Sequence, residues 1–249
     1  MLRVEGYSVG YGDTQVLWDV SLEVGDGEFV ALIGVNGAGK TTLINAISGI
    51  VPPLEGRILL DGTDITRTPS WDRVVKGVAQ VPEGRKLFNG LTVEENLRLG
   101  AYLKRERRSI AERVTRILDV FPEIARRRRA LAGNLSGGEQ QMVAIGRALM
   151  SEPRLLMIDE LSLGLAPVVV DRLAELLTRL HRELRLSVIL VEQDVQLALE
   201  LSSRGYVIET GRIILSGPCG DLLKQDVVRQ AYLGLGKAAV EPPHLTEDR

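Results

Sequence analysis

The chain has 249 residues, 45% of them hydrophobic and 26% charged, with a formal net charge of −2. This describes a folded domain of ordinary size and excludes both a disordered chain and a protein built mainly to grip nucleic acid. No apolar run approaches the roughly 18 residues of a bilayer crossing, the opening residues Met1–Glu5 carry no secretory apolar stretch, and a single cysteine with two histidines excludes an intrachain disulfide and Cys- or His-rich metal centres.

Taken in chain order, the first third reads as short strands and turns. Strands are expected at Leu2–Val9, Ser21–Val24 and Glu28–Ile33, with Gly25-Asp26-Gly27 as a hairpin turn. A helix follows at Lys40–Ser48, closed by Gly49 and Pro52-Pro53. Gly56–Leu60 with Asp61-Gly62 predicts another hairpin, and Gly77–Val81 another strand. The middle third is helical. Thr92 with Glu95 and Ser136 with Glu139 each form a capping box, the second opening a helix over Gly137–Met150. Between them, Ile110, Val114, Ile117 and Leu118 recur at helical spacing. The last third alternates: strand Leu155–Ile158, helix Pro167–Leu184, strand Ser187–Val191, helix Val195–Ser202, and a hairpin over Tyr206–Ser216 around Gly211. Alternating strands and helices predict an α/β fold with a largely parallel sheet.

Gly34-Val35-Asn36-Gly37-Ala38-Gly39-Lys40-Thr41, followed by Thr42, fits the G-x-x-x-x-G-K-[ST] phosphate loop between a predicted strand and a predicted helix. A polyphosphate needs converging N–H donors, and a helix N-terminus supplies them with a favourable dipole. Lys40 can reach the β- and γ-phosphates of ATP, and the Thr41 hydroxyl can ligate Mg²⁺. The strand Leu155–Ile158 ends in Asp159 and Glu160. Ligands of parallel sheets sit at such strand ends, so Asp159 is placed to hold Mg²⁺ and Glu160 to activate a water as general base.

Leu135-Ser136-Gly137-Gly138-Glu139-Gln140-Gln141 resembles the signature of the ATP-binding cassette (ABC) ATPases. A capped helix start alone requires neither both glycines nor two glutamines. The resemblance covers about residues 1–236 and implies a P-loop NTPase with a RecA-like parallel core, an N-terminal antiparallel β subdomain, and an inserted helical subdomain at about 84–150; residues 237–249 read as a tail. It also implies that two cassettes pair head to tail. Ser136, Gly137, Gly138 and Glu139 would then meet ATP held by the partner, and Tyr11 would stack on adenine.

Four positions, in three segments, depart from the usual family pattern. The Gln-loop glutamine, which couples Mg²⁺ to the membrane partner, falls on Glu83, with Gln80 three residues earlier as the other candidate. The switch histidine falls on Gln193. In the loop after Glu160, Leu161 replaces a proline and Ala166 an aspartate. The strings Val81-Pro82-Glu83-Gly84-Arg85, Thr92–Leu97, Ser162–Pro167, Val191-Glu192-Gln193-Asp194 and Ala231-Tyr232-Leu233-Gly234 together resemble the smaller, LivF-type ATPase subunit of branched-chain amino acid importers. That resemblance implies two membrane-spanning permease subunits as partners, reached through Glu83–Phe88 and the helical insert. It implies a second ABC ATPase subunit or self-pairing, an extracytoplasmic solute-binding protein acting indirectly, and a peripheral place on the cytoplasmic face of the inner membrane.

The arginine runs Arg105–Arg108 and Arg126–Arg129 read as a solvated face with acids interleaved, so no nucleic-acid partner is expected. Two alternatives stay open. One is an importer of urea or short amides. The other is a soluble ABC clamp on nucleic acid or ribosomes, against which stand the single cassette and the absence of a long coiled-coil insert between Glu83 and the signature.

Overall fold

The computed structural model describes residues 1–103, 107–225 and Val228. The Arg105–Arg108 run has no described side chains throughout, and the Ala231–Gly234 string and the 237–249 tail lie outside the described residues.

Two sheets form the frame. The first is antiparallel, in the order β2-β1-β4-β5, from β1 (Leu2–Tyr11), β2 (Thr14–Val24), β4 (Glu55–Leu60) and β5 (Thr63–Asp64). The second runs β10-β9-β3-β8-β7-β6, from β3 (Phe29–Ile33), β6 (Val78–Val81), β7 (Leu155–Asp159), β8 (Ser187–Glu192), β9 (Arg204–Glu209) and β10 (Arg212–Pro218). Its strands pair in parallel except β10, which returns antiparallel to β9. The helices are α1 (Lys40–Ile47), α2 (Ser70–Val75), α3 (Val93–Gly100), α4 (Arg107–Val120), α5 (Pro122–Arg126), α6 (Gly137–Leu149), α7 (Pro167–Leu184), α8 (Val195–Leu201) and the single turn α9 (Cys219–Leu222).

The predicted hairpin at Gly25-Asp26-Gly27 is corrected: β2 and β3 lie in different sheets. Every residue of β3 is buried, as a central parallel strand requires, whereas β2 alternates toward its end like a half-covered strand. The hairpin partner of β2 is β1, through Gly12 and Asp13.

The large sheet is covered on both faces, and its strands divide their side chains accordingly. Leu155 and Met157 of β7 join β1, β2 and α1 in one core, while Leu156 and Ile158 join α3–α7 in the other. Ile189 with Val191 and Val188 with Leu190 repeat this division on β8. A smaller cluster seats α8 and α9 against β3 and β9. There Cys219 is buried, and burial pushes its thiol pKa up to about 11. His181 lies far along α7, donating from Nδ1 to the Leu186 carbonyl (2.7 Å) and packing edge-on against Phe29. Arg73 is buried in α2 at 2% exposure. It donates to the carbonyls of Ala46, Ile47, Thr66 and Thr68 at 2.8–2.9 Å, so it closes the C-terminal end of α1.

Candidate functional site

Three neighbouring parallel strands, in the order β3-β8-β7, end side by side, and the site is built on those ends. After β3 the chain turns through Gly34–Gly39 into α1. Gly37 and Gly39 have φ of 78° and 107°, in the left-handed region that favours glycine. A Cβ on Gly34 would fall 2.4 Å from the Ile208 carbonyl oxygen, so the close approach of β9 also requires glycine. The β9–β10 turn braces the loop, with the Gly211 N–H donating to the Ala38 carbonyl (2.9 Å).

Lys40 is buried, and its ammonium donates to the carbonyls of Gly34 (2.7 Å) and Val35 (3.2 Å). Burial pulls its pKa down, while Glu160, Asp159, Glu192 and Glu83 pull the other way. Val35, Asn36, Gly37 and Thr41 lie exposed at the rim; Gly34, Ala38, Gly39 and Thr42 are buried beneath. The arrangement offers a polyanion free N–H groups, a helix dipole and one fixed cation. Tyr11 is half-exposed at the end of β1.

Asp159 closes β7, fully buried; neither carboxylate oxygen makes a hydrogen bond of full geometry, though the Thr41 hydroxyl is near enough to favour the charged form. Burial, helped by the charges of Glu160 and Glu83, raises its pKa to about 6, against the Thr41 hydroxyl and Lys40. Two unpaired buried oxygens beside a polyanion loop fit a divalent cation. Among the described residues no group of three or more His, Cys, Asp or Glu could hold a metal. Mg²⁺ is commonly held by one or two carboxylates together with substrate phosphates and water, a set that Asp159 and a bound polyphosphate would supply.

Glu160 sits at φ 57°, a left-handed conformation rare for a non-glycine residue. Its N–H donates to the Val191 carbonyl (2.9 Å), and its carboxylate accepts from Gln193 Nε2. The structure therefore joins Glu160 and Gln193 directly. Gln80 is committed elsewhere: its Nε2 donates to Asn45 Oδ1 (3.1 Å), and its Oε1 accepts from the Ser48 hydroxyl (2.6 Å). Glu83 is exposed, yet its charge is felt by both Asp159 and Lys40.

The Ser136 turn forms a capping box, with the Glu139 N–H donating to the Ser136 hydroxyl and the Ser136 N–H to the Glu139 carboxylate. Gly138 is needed for packing, because a Cβ there would lie 2.5 Å from Val169 Cγ1. Among the described residues no hydrogen bond links this turn to the phosphate loop of the same chain. Leu161 is fully buried in the core beneath α6 and α7. Ala166 opens α7 without a side-chain cap; Pro167 follows, and its missing N–H needs none. In the four-arginine run, Arg127 pairs with Glu139 (3.5 Å) and Arg128 with Glu94 (2.6 Å).

Sequence reasoning missed Glu192. It ends β8 fully buried, its two oxygens accepting from the Ser162 N–H (2.9 Å) and hydroxyl (3.0 Å). The signal was an acid directly following the apolar run Val188–Val191.

Residues 17–162 match the family described as ABC transporter. The chain belongs to the ABC transporter ATP-binding family. Such chains are ATPases. The high-affinity branched-chain amino acid transport ATP-binding protein BraG of Pseudomonas aeruginosa is 45% identical over 94% of this chain and 100% of its own length. The probable branched-chain amino acid transport ATP-binding protein LivF of Archaeoglobus fulgidus is 35% identical over 94% of this chain and 99% of its own. Among solved structures, a nucleotide-free ATP-binding cassette from an ABC transporter superposes with a TM-score of 0.84 at 27% identity, covering 93% of this chain and 98% of that one. A dimeric ABC cassette in a post-hydrolysis state, bound to ADP and phosphate, superposes with a TM-score of 0.78 at 26% identity over 88% and 99%.

Proposed function

We propose that this chain is the ATP-hydrolysing, energy-coupling subunit of a membrane importer of branched-chain amino acids. The observation that carries the chemical part is the convergence, on three adjacent strand ends, of the phosphate loop, the unpaired Asp159 carboxylate and the bonded Glu160–Gln193 pair. ATP lies along Gly34–Thr42 with its adenine on Tyr11. Thr41, Asp159 and Glu83 would hold Mg²⁺, which when bound would supply neutralisation of the phosphate charge. On ATP entry Lys40 exchanges the Gly34 and Val35 carbonyls for phosphate oxygens. Glu160 takes the proton of the attacking water, and Gln193, which donates to it, keeps its carboxylate aimed. Ser136, Gly137, Gly138 and Glu139 close over ATP bound to a second cassette.

The transport part rests on BraG and LivF, which resemble this chain over nearly its whole length, and on an apolar groove. That groove, of about 750 Å³, is lined by Ile50, Trp71, Val74, Phe88, Tyr102 and Leu103. Trp71, Phe88 and Tyr102 are more than half exposed, a cluster that a protein partner would cover. Among the described residues no helix is long and apolar enough to cross a membrane. The chain docks peripherally through this groove on two permease subunits at the cytoplasmic face, and a solute-binding protein delivers cargo on the other side.

The test is the purified, assembled transporter carrying Glu160→Gln. ATP turnover should fall at least about a hundredfold, as expected when a general base is lost; unchanged turnover refutes the site. Uptake of labelled leucine against labelled urea decides the cargo, and uptake of urea alone overturns the amino-acid assignment.

A further inference from the structure

Arg85 stands where three loops meet. It follows Glu83 by two residues, and its guanidinium bridges two other segments. Nη2 donates to the Leu163 carbonyl (3.1 Å), in the loop after Glu160. Nη1 reaches Gln140 Oε1 (3.5 Å), in the first turn of α6. Gln140 is turned to present that oxygen, because its Nε2 donates to the Ala132 carbonyl (3.2 Å). Gly137 leaves room for the guanidinium: a Cβ there would lie 3.3 Å from Arg85 Nη2.

The backbone is held from the other side. Arg147, at the far end of α6, donates to the carbonyls of Lys86 (2.8 Å) and Arg85 (3.0 Å). Arg85 and Lys86 have φ of 65° and 46°, a left-handed conformation that is strained for a non-glycine residue and persists only under outside restraint. The two arginines supply that restraint. The Glu83 loop is thus clamped to α6 at both ends of the helix, and through Leu163 to the loop that precedes α7.

We propose that Arg85 is a positioning residue that makes the Glu83 loop, the Ser136 turn and the Leu161–Ala166 loop move as one unit during ATP-driven closure. This rests on the transport reading above. It assigns to one side chain the task of carrying motion from the groove beside Phe88 to the two segments that face the second cassette. Its guanidinium offers fixed donors in a planar fork, which a lysine cannot reproduce at two acceptors.

The experiment compares the assembled transporter with its Arg85→Ala, Arg85→Lys, Gln140→Leu and Arg85→Ala/Gln140→Leu forms. Steady-state ATP hydrolysis is followed over a range of ATP concentration. Arg85→Ala should lower kcat about tenfold while KM for ATP stays within about twofold, because nucleotide still binds its own loop and only closure is impaired. Arg85→Lys should recover only part of the loss. The double variant should lose less than the product of the two single losses, since both remove one link. A kcat for Arg85→Ala within twofold of wild type overturns the proposal, as does a loss confined to KM, or full recovery with lysine. A wild-type complex that hydrolyses no ATP refutes the transport reading, and this inference with it.

Discussion

Replacing Asp159 by Asn tests whether the fold keeps a destabilising acid for the sake of a cation. Its carboxyl has moved from the ordinary 3.8 to about 6, chiefly because it is buried. Within that window the folded chain still holds a proton that the unfolded chain has released, so stability falls as pH rises through it. Above the window the ionised carboxylate destabilises the fold by up to about 3 kcal/mol, at about 1.4 kcal/mol per pH unit. Asn keeps the shape and removes the charge, but its amide inherits some of the unmet hydrogen bonding. The expected result is a nucleotide-free, magnesium-free full-length variant more stable than wild type by about 1–3 kcal/mol at pH 7.5, the gain shrinking toward zero near pH 4. Urea unfolding followed by the fluorescence of Trp18 and Trp71 measures this at several pH values. Adding Mg-ATP should then stabilise the wild type well above the variant, since only the wild type keeps the carboxylate for the metal. A variant with the same or a lower urea midpoint at pH 7.5 would refute the reasoning.

Other substitutions follow from the same geometry. Lys40→Ala removes the fixed cation of the phosphate loop and should abolish binding of a fluorescent ATP analogue; retained tight binding would contradict the loop assignment. Arg73→Met strips four carbonyls of their donor inside the fold, and leaving such buried acceptors unmet, at about 1–3 kcal/mol for each that finds no other partner, should lower stability by about 3–5 kcal/mol in urea titration; a loss under about 1 kcal/mol would show that the carbonyls find other partners. Leu161→Ala opens a cavity beneath α6 and α7 and should cost about 2–4 kcal/mol by calorimetry, while nucleotide binding stays near wild type.

The parts of this molecule that could be read from sequence are those in which cause and effect lie close along the chain. The phosphate loop needs its glycines within eight residues, and both capping boxes close over three, so Thr92, Ser136 and Lys40 announce themselves. Asp159 and Glu160 were legible because a short apolar run ended in two acids. The family resemblance singled out Gln193, in the place of the switch histidine, which spacing could not; that it bonds Glu160 is visible only in the structure.

What stayed hidden depends on contacts distant in sequence. Arg73 looks like a surface residue of a short helix; its acceptors are backbone carbonyls, which leave no trace in residue identity. Glu192 reads as a strand-end acid until Ser162, thirty positions earlier, is brought beside it. The turn at Gly25–Gly27 misled because glycine marks a change of direction without saying which sheet receives the next strand. Nor does spacing reveal that Asn45 of α1 and Ser48 just beyond it hold both ends of the Gln80 amide.

The chain's lone thiol has a practical consequence. Cys219 is packed away, and with a pKa near about 11 it is only about one part in a thousand or less thiolate at pH 7.5. Alkylating dyes and spin labels should therefore pass the native protein by, leaving it a blank background for chemistry. A reporter introduced by Leu163→Cys, at an exposed side chain in the loop after Glu160, would be the chain's sole reactive handle. A fluorophore there could then report on changes around the loop when nucleotide is added, without first removing a native cysteine.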